Sequence, residues 1–233
     1  MPIILLHTYP YLLLCLFLVA LFIAGLIAFP VHRRLMIISG LLSIPFCFYE
    51  FAFIPEYWTP SMVGGGKLGL EDMLFSFSTG GIAWIFAAGG IRTDFVINWN
   101  LWTFIRRFAG CSLIGVGATM ILWLLGLRIM TAVILCIALG IVCLLWRFPH
   151  HHNLGFYGAI GFSFIYTLLL SFMFAISPEF LLQWNSHNLS GVTLAGIPAE
   201  ETFWAFSFAA IWPRFVVYVL NARPLVSPGL KDT

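Results

Sequence analysis

The chain has 233 residues, of which 61% are hydrophobic and only 9% are charged. A soluble domain carries about 25% charged residues, so this composition excludes a soluble protein and indicates an all-α integral membrane protein. The formal net charge is only +2 and no basic cluster is present, which argues against nucleic acid as a partner and leaves the lipid bilayer as the expected surroundings.

Seven apolar runs are long enough to cross a bilayer as helices, because a span needs about 20 apolar residues. They cover roughly residues 4–29, 35–57, 71–92, 104–125, 127–146, 155–177 and 200–221. No positively charged flank precedes the first run, which therefore predicts a span rather than a cleaved signal. The five cysteines all lie inside these runs, without metal-ligand spacing, and are interpreted as small core residues.

The basic residues gather at one set of span ends, which predicts the orientation of the chain. The poorer side carries only Lys67 and Arg128. The richer side carries Arg33, Arg34, Arg92, Arg106, Arg107, Arg147, Arg223 and Lys231. Cytoplasmic loops are enriched in Lys and Arg, so the N-terminus is expected outside the cell membrane and the C-terminus in the cytoplasm.

Two acidic pairs open two of the predicted spans in the same way. Glu71 and Asp72 begin the third span, and Glu200 and Glu201 begin the seventh. The helix dipole favours acids in a first turn, so one interpretation is an acidic helix start at the membrane surface. The duplication favours a second interpretation, a site built between the two halves of the chain.

The spacing of these motifs predicts an internal repeat. The step from Glu56 to Glu179 is 123 residues and the step from Glu71 to Glu200 is 129, and the longer second loop absorbs the difference. Within a single transmembrane domain, the predicted boundaries are about 1–93 for repeat one, 104–125 for a linker helix and 127–223 for repeat two. Because the repeats are four spans apart, they are parallel, and an axis along the membrane normal would bring the acids together near one surface.

Glu50 is predicted to lie inside the second span, about eight residues or roughly 12 Å from its outer end. A charged carboxyl there costs about 2.5–3.5 kcal/mol unless it is neutral or partnered. Two interpretations stay open: a protonated glutamate hydrogen-bonded to a neighbouring helix, and a functional carboxyl.

The acidic segments carry a recognisable pattern. The first half has Pro55-Glu56-Tyr57-Trp58 before Gly69-Leu70-Glu71-Asp72-Met73-Leu74-Phe75, and the second has Trp184 before Gly196-Ile197-Pro198-Ala199-Glu200-Glu201-Thr202-Phe203-Trp204. These segments resemble the lycopene cyclase domain family, the membrane-integral type found as two subunits in some bacteria and fused in archaea and fungi. That family has Pro-x-Glu-Glu followed by aromatic residues in each repeat. The second motif matches closely, whereas Gly-Leu-Glu-Asp stands in the first.

The resemblance implies a carotenoid cyclase of the lycopene beta-cyclase type, an intramolecular lyase or isomerase that acts on a long polyene. Ring closure of an acyclic ψ-end needs an acid and a base but transfers no electrons, so no cofactor is expected. No metal is expected either, because the consecutive histidines 150–152 would point in different directions. The candidate acids and bases are Glu200 and Glu201 with Glu71 and Asp72, then Glu50, Glu56 and Glu179. The candidate substrate-binding aromatic residues, whose faces attract a cation, are Tyr57, Trp58, Trp184, Phe203, Trp204 and Phe75.

Three other functions stay open at this point. A hydratase would use the same protonation step, but water addition would change the mass of the product. A carotenoid- or lipid-binding subunit would hold pigment unchanged. A proton-coupled transporter would also suit paired repeats and intramembrane acids. The ring type, cyclisation of one end or both, and homo-oligomer formation are open as well.

Overall fold

The computed structural model describes residues 8–91, 95–147 and 152–224. The α-helices in these ranges are α1 (Pro10–Ala28), α2 (Arg33–Ser43), α3 (Glu50–Phe53), α4 (Leu70–Ile91), α5 (Leu101–Leu124), α6 (Ile129–Arg147), α7 (His152–Ile176) and α8 (Ala199–Val219). Seven helical stretches of the described chain are long and apolar enough to cross a membrane, since α2, α3 and the turns beside them form one span, Pro30–Phe53. The prediction of an all-α, multi-pass membrane protein is confirmed.

The second span is broken, which the sequence pattern did not predict. Between α2 and α3 the chain forms a 3₁₀ helix, Ile44–Tyr49, because Pro45 has no N–H for the α-helical hydrogen bond. The hydroxyl of Ser43 ties the break to α4 by donating to the carbonyl of Ser76. The span ends at Phe53 rather than near residue 57, since Ile54 is extended and precedes a proline. Glu50 therefore lies in the last turn of the span and not eight residues inside it.

Helices α4 and α8 form the centre of the bundle. α4 packs against α1, α2 and α7, and α8 packs against α6 and α7, whereas α5 lies at the edge with little of its surface buried. Two glycines show how closely the helices approach one another. A Cβ at Gly40 would lie 2.7 Å from the carbonyl oxygen of Phe77, and one at Gly158 would lie 2.7 Å from that of Ala209. Such small residues let membrane helices pack backbone to backbone.

A short hairpin positions the start of α8. Strand β2 (Thr193–Leu194) pairs with β3 (Ile197–Pro198) across Ala195 and Gly196, whose φ angles are 51° and 81°. Both values are positive, as a type I′ hairpin turn requires, and Gly196 adopts its value without strain because it has no Cβ. The N–H of Ala199 then donates to the carbonyl of Val192 at 2.9 Å, so the hairpin holds the first residue of the acidic helix.

A second pair of strands lies at the basic end of the bundle. Strand β1 (Phe95–Ile97) pairs antiparallel with β4 (Ala222–Pro224). Nearby, the guanidinium of Arg107 donates to the carbonyl of Tyr218 at 2.6 Å and lies 4.7 Å from the centroid of that ring. The expectations that rest on Arg92, His150, His151 and Lys231 lie outside the described residues.

Candidate active site

The two loops that precede the acidic helices are joined at their centres. Trp58 and Trp184 form an antiparallel β-bridge. On either side of it, Thr59 N donates to Gln183 O at 2.7 Å and Asn185 N donates to Tyr57 O at 2.9 Å. Both tryptophans are buried, and so is Tyr57. The bridge brings one loop from each half of the chain into a single layer over the helix starts.

Glu201, in the first turn of α8, accepts three side-chain hydrogen bonds. Its Oε1 accepts from Tyr57 at 2.8 Å and from the Trp184 indole at 2.9 Å, and its Oε2 accepts from Tyr166 at 2.8 Å. Burial, and then the neighbouring Glu201 charge, raise the pKa of the Tyr57 hydroxyl well above its usual value. Tyr57 therefore remains a hydrogen-bond donor to this carboxyl at neutral pH.

Asp72 is the carboxyl of the first acidic pair that lines the cavity described below. Its Oδ2 accepts from the backbone N–H of Gly69 at 2.7 Å, which caps the start of α4. Its Oδ1 accepts from the hydroxyl of Tyr11 at 2.9 Å. Tyr11 stands on α1, so this hydroxyl connects the first span to the site.

Glu50 completes a set of three carboxyls. Its Oε2 accepts from the Trp58 indole at 2.8 Å. The short helix α3 points this side chain towards the centre of the bundle because the preceding 3₁₀ turn changes the direction of the span. Glu50, Asp72 and Glu201 come from three different spans and line one cavity.

The first member of each acidic pair serves the loop in front of it. Glu71 accepts from the backbone N–H of Val63 at 2.8 Å, and Glu200 accepts from the backbone N–H of Ser190. Neither residue lines the cavity. Successive helical residues point about 100° apart, so only one member of each pair can face the interior. The structure therefore does not bring all four acids together.

Two other candidate acids lie away from the cavity. Glu56 accepts from the Trp123 indole of α5 at 2.8 Å. Its backbone carbonyl accepts from the side-chain amides of Asn185 and Asn188. Glu179 is exposed and borders a separate shallow depression near Gln183.

The cavity has a volume of about 550 Å³ and mostly apolar walls. That size lies in the range of small-molecule sites, about 300–1,000 Å³. Of the candidate aromatic residues, Tyr57, Trp58, Trp184, Trp204 and Phe75 line it. Phe75 and Trp204 stack across the two halves with centroids 5.7 Å apart. Phe203 does not take part, because its side chain is 57% exposed on the outer face of α8.

Comparison with known proteins finds one family that matches part of the chain. The sequence model of the family named lycopene cyclase matches residues 127–219. Over this segment, 93 of the 233 residues, the chain is similar to that family. The segment contains α6, α7 and the whole of α8, whose first turn carries Glu200 and Glu201. At the level of the family, the match supports carotenoid cyclisation by an enzyme in a lipid environment. No curated protein and no solved structure matches the chain.

Sequence reasoning missed two hydroxyls of this candidate site. Tyr11 and Tyr166 are buried within apolar spans, where a tyrosine looks like an ordinary core residue. Each donates to one of the second acids, Tyr11 to Asp72 and Tyr166 to Glu201. A buried tyrosine hydroxyl needs a partner, and this requirement is the signal that links them to the acids.

Proposed function

We propose that the protein is a carotenoid cyclase that closes the acyclic ψ-end of a lycopene-type polyene into a ring by acid–base chemistry. The observation that supports this best is the arrangement of Glu50, Asp72 and Glu201 around one apolar, aromatic-walled cavity. An apolar chamber suits a hydrocarbon substrate, and buried carboxyls are the groups that move protons there. The reaction has no net redox change.

The hydrogen bonds suggest how the roles divide. Glu201 accepts three hydrogen bonds from Tyr57, Tyr166 and Trp184, which stabilise its carboxylate and make it the base and counter-ion. Glu50 accepts one hydrogen bond, from Trp58, and is the acid that protonates the substrate. Asp72 accepts two hydrogen bonds, from Tyr11 and from the N–H of Gly69, and holds these two parts of the first half in position.

The reaction then balances as follows. The O–H bond of the acid breaks, and its proton forms a C–H bond at the terminal double bond, which leaves a tertiary carbocation. The π electrons of an internal double bond form the new ring C–C bond and move the cation into the ring. The base removes a ring proton, whose C–H electrons form the ring double bond. One proton enters and one leaves.

The aromatic walls stabilise the cation during these steps. Cation–π attraction is worth about 0.5–2 kcal/mol per ring. Trp58 and Trp184 line the cavity and donate to Glu50 and Glu201, and the stacked pair Phe75 and Trp204 lines the same cavity. Indole and phenyl rings neither deprotonate the cation nor add to it, and they keep nucleophiles such as water away from it.

Glu71 and Glu200 act as positioning residues in this proposal. Each carboxylate holds the loop before its helix through a backbone N–H. The two halves form parallel repeats in which Asp72 and Glu201 are equivalent. The first motif has aspartate in place of glutamate, which fits the different roles of the two carboxyls, with Glu201 as the base and Asp72 as a supporting group.

Pigment chemistry in a lycopene-accumulating bacterium tests this function. The parent protein is expected to yield a cyclic product of unchanged mass, whereas a hydratase would add the mass of water. Glu201→Gln keeps the shape of the side chain and removes its basic oxygen, so cyclisation should fall about 100-fold or more. Glu179→Gln, outside the cavity, is the matched control. Normal cyclisation by Glu201→Gln would contradict the proposal.

The end of the bundle that carries Glu50, Asp72 and Glu201 faces the outer leaflet, with the N-terminus outside and the C-terminus in the cytoplasm. The support is the position of Arg106, Arg147 and Arg223 at the opposite end of the bundle. A C-terminal fluorescent protein should fluoresce, and alkaline phosphatase fused at the same point should be inactive. The reverse result would invert the orientation and leave the chemistry standing.

A further inference from the structure

The cavity continues well beyond the carboxyls. Its lining on α8 extends from Glu201 to Phe215, fourteen residues apart, which is about 21 Å at 1.5 Å per residue. The carboxyls occupy only one end of it. The remainder is a long apolar cleft to which acid–base chemistry assigns no role.

One wall of this cleft is a ladder of aromatic rings on α8. Trp204 and Phe208 have centroids 5.3 Å apart at 9°, Phe208 and Trp212 5.4 Å apart at 20°, and Trp212 and Phe215 5.2 Å apart at 30°. The Trp212 indole donates to Ser39 at 2.9 Å, which fixes the orientation of that ring. Four rings in succession therefore form a continuous apolar wall along the helix.

The facing walls come from α5 and α6 and carry small residues. Gly115 and Ala118 line the cleft on α5, and Gly140 lines it on α6. A Cβ at Gly115 would meet nothing within 4 Å, so the cleft is open beside α5, whereas the side chain of Ile211 packs closely against Gly140.

The cleft opens sideways between α5 and α6. Ile114 and Leu139 line it and yet are 74% and 62% exposed on the outer surface of the bundle. They lie twelve residues before and thirteen residues after Gly126 in the turn between the helices, which places them at the same level. Cys143, one turn further along α6, is also exposed while lining the cleft. The opening therefore lies along the lipid-facing sides of two spans.

We infer that this cleft is the binding site for the polyene arm of the substrate, which enters from the bilayer between α5 and α6 and lies along the ladder. The inference rests on the proposed function, since the arm is the part of a carotenoid that does not react. A conjugated chain is flat and apolar, so it gains dispersion contacts along the rings. The cleft is continuous with the end of the cavity that holds Glu50, Asp72 and Glu201, which favours the substrate over a lipid acyl chain as its occupant.

Bulky substitutions at the opening test the route. Ile114→Trp and Leu139→Trp narrow it, and each has a neighbour of equal exposure that does not line the cleft. The controls are Leu113→Trp, at a position 72% exposed, and Val142→Trp, at a position 63% exposed. Elution as a single detergent-solubilised species confirms that each variant folds.

Initial rates are measured with lycopene supplied in phospholipid vesicles. At limiting lycopene, we expect Ile114→Trp and Leu139→Trp to cyclise it at least about fivefold more slowly, because the larger side chain obstructs the opening between α5 and α6. Leu113→Trp and Val142→Trp should match the parent. Equal rates in all four variants would overturn the inference and leave the proposed function intact.

A timed capture experiment separates the two proposals. Tagged protein is mixed with lycopene-loaded vesicles, and the pigment retained on the purified protein is measured by its absorbance. If the parent captures lycopene without cyclising it, the proposed function fails, and lower capture by Ile114→Trp than by Leu113→Trp still supports the cleft. Equal capture by these two variants, or retention of phospholipid in place of lycopene, overturns it.

Discussion

The indoles of Trp58 and Trp184 lie side by side with centroids 5.3 Å apart, yet they donate to different carboxyls. Trp58 donates to Glu50 and Trp184 donates to Glu201. The same two residues form the backbone bridge between the loops. One backbone contact therefore sets the positions of both indoles, and through them it relates an acid of the first half to an acid of the second.

Removing either indole N–H should impair catalysis while the ring remains. A hydrogen bond to a charged group is worth about 1.5–3 kcal/mol, so Trp184→Phe is expected to slow lycopene cyclisation about 10- to 100-fold. Trp58→Phe should slow it as well, by loss of the donor to Glu50. The measurement is the initial rate in isolated membranes. Trp99→Phe, at an exposed position, is the control, and equal rates in all three variants would remove the indoles from the mechanism.

The two members of an acidic pair should differ sharply when they are replaced. Asp72→Asn removes a cavity carboxyl, and loss of a group in acid–base catalysis costs about 10²–10⁴ in rate. Glu71→Gln keeps an oxygen that can accept from the Val63 N–H, so most of the activity should remain. Pigment analysis of the two strains compares them. Greater loss with Glu71→Gln would mean that the loop, and not the cavity, controls the reaction.

The sequence predicts the spans well because each is a run of apolar residues about as long as a bilayer is thick. It fails at the second span. Hydropathy does not register that Pro45 interrupts the helix or that Ile54, before a proline, is extended. Glu50 follows directly after that break and lies in the last turn of the span, whereas the hydropathy pattern predicts it eight residues inside.

The sequence also locates the acidic pairs but cannot divide their roles. Neighbouring residues in a first turn differ only in direction, and the direction that is interior depends on the path of the loop. The bridge at Trp58 and Trp184 joins residues 126 positions apart, and no local pattern indicates it. Tyr11 and Tyr166 are hidden for the same reason, since their partners are distant in the chain.

The close helix contacts predict where the bundle is least tolerant of added volume. Gly40→Ala and Gly158→Ala each place a methyl group 2.7 Å from a backbone oxygen, so the helices must separate. The expected cost is about 1–3 kcal/mol of unfolding free energy. Gly110→Ala, where nothing lies within 4 Å, should be neutral or slightly stabilising. Thermal unfolding in detergent measures all three, and equal midpoints would contradict this packing.

The buried hydroxyl of Tyr57 predicts a loss of stability at high pH. Burial and the Glu201 charge raise its pKa in the folded protein above the usual value of about 10. The folded state therefore holds this proton more tightly than the unfolded state does. The resulting stabilisation is complete below about pH 10 and is lost as the pH rises from there towards the folded pKa.

Thermal unfolding between about pH 8 and pH 11 measures this effect, since the window brackets the ordinary tyrosine pKa. Tyr57→Phe has no proton to lose, so its stability should be lower at neutral pH and should decline less above pH 10. Tyr157→Phe, at an exposed position, is the control and should follow the parent. A decline in Tyr57→Phe as steep as that of the parent would show that this hydroxyl is not held by burial and by its bond to Glu201.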